Sequence, residues 1–200
     1  MLGRVIRFSV RDSVTVGIFT ALGLALGFAV LLALHLLPGA LVLVKEALVA
    51  FLTAPVMVLL RTKVPRSGLM TVSGMACAVV FCMFGFFTVA VFSVLGGIAG
   101  DLIAGRNGYS RLWLNILGYG TFSVAKAFGT YIPFYVWGDG FVRELMARGN
   151  VSRDFIDVFV ENLRPGPGIV ILAVNFVMAG LEVLAGERWL GKHFRPAGLV

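Results

Sequence analysis

Ser13-Val-Thr-Val-Gly-Ile-Phe-Thr-Ala-Leu-Gly-Leu-Ala-Leu-Gly-Phe-Ala-Val-Leu-Leu-Ala-Leu34 carries no formal charge and follows directly on Arg4, Arg7 and Arg11. A cleavable signal has an apolar core of only about 7–15 residues. A helix crossing the ~30 Å hydrocarbon layer needs about 20. Length therefore assigns this stretch to a first transmembrane helix. The rest of the chain agrees: 59% of its 200 residues are hydrophobic and the mean hydropathy is +0.96, above the roughly 45–50% apolar content of soluble domains. A water-soluble globule is excluded.

Working outward, further apolar stretches run over Ala47–Leu60, Leu69–Phe84, Phe86–Ala104, Leu112–Trp137 and Gly168–Trp189. The second reaches membrane length only by starting near Gly39 and taking in Lys45 and Glu46. The third and fourth are separated by Gly85 alone, which must turn the chain. The expected fold is an all-α integral membrane bundle of six transmembrane helices, forming a single domain over 1–200 with no soluble appendage.

Orientation follows from Lys and Arg, which cytoplasmic loops retain. One side of a six-span chain holds Arg4, Arg7, Arg11, Arg61, Lys63, Arg66, Arg106, Arg111, Arg188, Lys192 and Arg195. The other holds Lys45, Arg143, Arg148, Arg153 and Arg164, offset by six acidic residues. Eleven against five places both termini in the cytoplasm of a prokaryotic-type cell membrane. The net charge of +7 sits in loops and not on one face with interleaved aromatics, so nucleic acid is not an expected partner. In the outer connection Gly138–Pro167, Ser152 fits an N-cap and Phe155, Ile156, Phe159, Val160 and Leu163 recur at helical spacing. A short amphipathic helix is expected there, either lying on the outer surface or covering a cavity mouth.

The first span carries Gly17, Ala21, Ala25, Ala29 and Ala33, a small residue at every fourth position. Membrane helices associate by close packing, so this ridge is a candidate docking surface, widened by Gly23 and Gly27; packing inside the chain is the competing use. Ionisable groups within spans are costly and mark function. Two are present, Lys126 and Glu182. At 1.5 Å per residue they lie roughly 17 and 21 Å below the outer ends of their spans, so they are candidates to meet near the membrane centre. Lys126 is expected to neutralise an anionic group on a ligand, or else to tie two spans together. Asn175, Tyr131, Tyr135 and Trp137 are expected to line the outer approach.

Enzymatic motifs fail on inspection. Gly186-Glu-Arg-Trp-Leu-Gly-Lys192 fits a phosphate-loop spacing, but His193 replaces the magnesium-binding Ser or Thr. His35 and His193 fall on opposite sides, so a two-histidine metal site is not expected. Cys77 and Cys82 lie about 7.5 Å apart along a helix, beyond the roughly 7 Å that a disulfide spans. No enzymatic activity and no cofactor are expected.

Three stretches carry a family resemblance: Ala21-Leu-Gly-Leu-Ala25; Gly97-Ile-Ala-Gly-Asp101 with Asn115, Gly118, Tyr119, Gly129 and Pro133; and the ending Lys192-His-Phe-Arg-Pro-Ala-Gly198. The chain resembles the substrate-binding (S) component of an energy-coupling factor (ECF) transporter, most closely the Trep_Strep-type branch. It departs at Asp101, where Glu is usual, and at Pro196, where a second basic residue is usual. The resemblance implies a six-helix subunit that captures a micronutrient from outside. It would dock through its alanine motif on a T component driven by two ABC-type ATPases, and topple to release its cargo. The ligand does not carry over: one positive charge and an aromatic vestibule suit molecules from thiamine precursors to haem-like or corrinoid compounds. The alternative is a stand-alone small transporter, channel or scaffold without an ATPase partner.

Overall fold

The computed structural model describes residues 9–35, 45–105, 109–147, 165–189 and 192, and among these residues it contains helices and no strand. Helix α1 spans Val10–His35. It opens on a reciprocal cap in which Asp12 N–H donates to Ser9 Oγ at 3.1 Å while Ser9 N–H donates to the Asp12 carboxylate at 2.8 Å, satisfying two otherwise orphaned donors. Helices α2 (Lys45–Lys63), α3 (Leu69–Met83), α4 (Phe87–Ala104), α5 (Leu112–Ala147) and α6 (Pro165–Trp189) follow. The expected start of the second span near Gly39 and the amphipathic helix after Ser152 lie outside the described residues.

Length and composition qualify three described helices to cross a membrane: Val10–Val30 of α1, all of α4, and Gly168–Trp189 of α6. Helix α3 is equally apolar but has 15 residues, which reach about 22 Å. Gly85 turns the chain between α3 and α4 with φ 80°, a left-handed conformation that suits glycine. The fifth helix differs from expectation. It continues beyond Trp137 to Ala147, bending at Gly138, whose φ of 46° and ψ of −126° break the helical path. Glycine there permits a kink in place of a stop.

The six helices close into a ring: α1 packs on α2 and α3, α3 on α4, α4 on α5, α5 on α6, and α6 returns to α2. Glycines set the closest crossings. A Cβ on Gly74 would lie 2.4 Å from the Ser93 carbonyl oxygen, and one on Gly97 2.4 Å from that of Met70, so α3 and α4 touch backbone to backbone. Gly100 and Gly118 do the same for α4 and α5. Lipid supplies no hydrophobic drive between helices, and such close van der Waals contact is what holds them. The main core, with Val16, Leu60, Leu69, Phe122 and Val183, fills the ring towards the basic end.

Candidate functional site

On α5, Tyr119, Phe122, Lys126 and Thr130 fall at spacings of three or four residues, which places them on one helical face. That face borders a cavity of about 290 Å³ enclosed by α1–α5. Thr20, Gly23, Gly27 and Phe28 come from α1, Thr53 and Met57 from α2, Ser73, Cys77 and Phe81 from α3, and Val89 from α4. The lining reaches Phe81 and Phe86, which flank the α3–α4 turn. This is the end that the charge count expects on the outside.

Most hydroxyls in the wall are already committed. Thr53 donates to the Val49 carbonyl at 3.0 Å, Thr130 to that of Lys126 at 3.3 Å, and Tyr119 to Glu182 Oε1 at 2.9 Å. Thr20 and Ser73 share one hydrogen bond of 3.0 Å across α1 and α3. Lys126 Nζ stands 4.7 Å from the centre of the Phe122 ring, within cation–π range. Among the described residues no ion pair joins it to a carboxylate.

Depth therefore located Lys126 and Glu182 without pairing them. Lys126 turns to the large cavity, while Glu182, 1% exposed, turns to a smaller one of about 30 Å³ with Arg61, Asn115 and Tyr119. Glu182 Oε2 and Asn115 Oδ1 have no hydrogen-bond partner among the described residues, and they border a space the size of one water. Arg61 itself pairs with Glu187, tying α2 to α6, and Arg66 pairs with Asp12 of α1.

The other expected site residues fall elsewhere. Asn175 is buried between α5 and α6, accepting from the Ser123 hydroxyl at 2.7 Å. Tyr131 is buried with Ala127 and Ile171 in a second core cluster. Tyr135 and Trp137 are exposed and do not border the cavity. Sequence reasoning assigned none of Thr20, Ser73, Cys77, Tyr119 and Phe122 to a site. Stepping four residues either way along α5 from Lys126 finds Phe122 and Thr130, and stepping back seven finds Tyr119.

On α1, Ala21, Ala25, Ala29 and Ala33 are exposed, and an added Cβ on Gly17 would meet nothing within 4 Å. Only 17% of the helix's most apolar window is buried, against 44% in α4 and 39% in α6. Gly23 and Gly27 do not widen this ridge. They face α2, where a Cβ on Gly27 would approach Val49 Cγ1 to 3.1 Å.

No curated protein and no solved structure matches the chain, but a family model described as "hypothetical bacterial integral membrane protein (Trep_Strep)" matches residues 10–195. The match takes in nearly the whole chain, and the chain belongs to that Trep_Strep family of bacterial integral membrane proteins.

Proposed function

We propose that this chain is the membrane-embedded, non-enzymatic substrate-capture subunit of an ATP-driven uptake transporter of the ECF type. In this reading all six helices of the ring span the cell membrane, with both termini cytoplasmic. The cavity opens towards the outside and receives a small-molecule micronutrient beside Lys126. The alanine ridge of α1 then docks on a T component carrying two ABC-type ATPases, which provide the energy for release inside.

The observation that carries the reading is the exposure of Ala21, Ala25 and Ala29 on the least buried of the long apolar helices. A smooth face of small side chains gains little from lipid but admits a second helix closely. Gly23 and Gly27 of the same helix are turned inward, so the two faces of α1 have separate uses. The test is co-purification of the full chain with its T component and ATPases. Changing Ala21 and Ala25 together to leucine is expected to abolish the complex; assembly at the wild-type level would overturn the docking role. Flux of a ligand through liposomes holding the chain alone, without ATP, would favour the stand-alone alternative.

A further inference from the structure

We infer that the cavity beside Lys126 selects a small organic acid with a flat, largely apolar body, one anionic group and no ammonium group. The inference rests on the reading of the chain as a capture subunit and adds to it the class of cargo.

Among the described residues the wall of the cavity contains one cation, Lys126, and no carboxylate. The nearest acidic group on α6, Glu182, has its Oε1 held by the Tyr119 hydroxyl and its Oε2 turned to the smaller cavity. A ligand anion at the Lys126 ammonium is therefore the charge partner that the wall itself does not provide. A second cation there would face an ammonium whose nearest carboxylate, Glu182, stands behind Tyr119 with one oxygen already hydrogen-bonded, in surroundings where solvent screens little.

The remaining polar capacity is small and specific. The hydroxyls of Thr53, Thr130 and Tyr119 have spent their protons within the protein. In the Thr20–Ser73 pair one hydroxyl donates to the other, which leaves one proton for a ligand. Each hydroxyl carries a single donor. A cargo dense in hydroxyl or amide groups would leave many of them unsatisfied on leaving water, a cost of about 1–3 kcal/mol for each group. Phe28, Phe81 and Phe86 offer aromatic surface instead, suited to stacking on a planar body. At about 290 Å³ the cavity lies at the lower edge of the roughly 300–1,000 Å³ typical of ligand sites, which fits about two fused rings and excludes macrocycles.

The test titrates the purified full chain in detergent with three probes of one shape: naphthalene-2-carboxylate, 2-naphthylmethanol and 2-naphthylmethylammonium. Binding is followed by equilibrium dialysis. The carboxylate is expected to bind at least tenfold more tightly than the alcohol, with no saturable binding of the ammonium. Lys126→Met should bring the carboxylate down to the alcohol's affinity, while Lys126→Arg keeps the preference for the anion and shows that the fold tolerates change here. In a Cys82→Ser background the carboxylate should also slow the reaction of Cys77 with methyl methanethiosulfonate, which places it in this cavity. Equal binding of the ammonium, or carboxylate binding that both Lys126 variants leave unaltered, would overturn the inference while leaving a capture subunit. Absence of saturable binding by all three probes would sink the capture reading together with it. Acid binding without T-component assembly would remove the docking role alone.

Discussion

Asp101, on the last turn of α4, accepts from the Met70 and Thr71 amides at 3.2 and 2.8 Å, from the Thr71 hydroxyl at 2.6 Å, and from the Tyr109 hydroxyl. Those amides belong to the first turn of α3, so a carboxylate from one helix caps the next, where the helix dipole also favours negative charge. Tyr109 is held on the other side as well: the Asn115 side-chain amide donates to its carbonyl at 2.8 Å. It adopts φ 59°, which few residues other than glycine accept. Burial, and then the neighbouring Asp101, push the Tyr109 phenol well above the usual tyrosine range. Because the folded value is raised, the neutral phenol's contribution to stability is complete below the unfolded value near pH 10. It is lost as the pH climbs from there towards the folded value. Thermal unfolding in detergent from pH 8 to 11 should therefore show Tyr109→Phe less stable by about 1.5–3 kcal/mol at pH 8, the worth of a hydrogen bond to a charged group. Its deficit should shrink above pH 10; a constant deficit would mean that the phenol titrates normally.

Among the elements, α1 and α4 use small residues for opposite purposes, and sequence alone does not separate them. Gly97 lies under the Met70 carbonyl, whereas Ala21 and Ala25 are exposed. Gly97→Val must push two backbones apart and is expected to cost about 1–3 kcal/mol or more in unfolding assays, as overpacking does. The Ala21→Leu, Ala25→Leu pair should leave the stability of the lone chain within about 0.5 kcal/mol, as surface changes do. Loss of stability in the pair would show that the ridge is packed internally. The ridge at every fourth residue was legible, because helical periodicity fixes which side chains share a face. What periodicity leaves open is which way that face turns relative to the rest of the bundle. For the same reason Gly23 and Gly27, assigned by size to the ridge, belong to the α1–α2 contact. Lys126 and Glu182 were paired by depth, which says nothing of azimuth: Glu182 meets Tyr119, two turns below Lys126 on α5.

At the scale of the whole molecule, the closed ring places its two chemistries at opposite ends. The ion pairs Arg61–Glu187 and Arg66–Asp12, with the Asp101 cluster, gather at the end to which the α2–α3 and α4–α5 connections return. The cavity with Lys126 reaches the end marked by the α3–α4 turn. This separation was partly legible, since Lys and Arg report the side on which a loop stays. The cavity was not, because it arises from five helices whose contributions each look like ordinary apolar span. The proposed six-span topology would put these two ends on two sides of a membrane, and Cys82 provides a natural reporter. It is exposed, one turn before the α3–α4 turn, whereas Ser110 is exposed in the connection between α4 and α5. In intact cells a membrane-impermeant maleimide should label Cys82 and should not label Ser110→Cys in a Cys82→Ser background until the membrane is opened. Labelling of both positions from outside would mean that α4 does not cross. Labelling of Ser110→Cys alone would reverse the orientation, put the cavity mouth in the cytoplasm, and end the case for capture from outside.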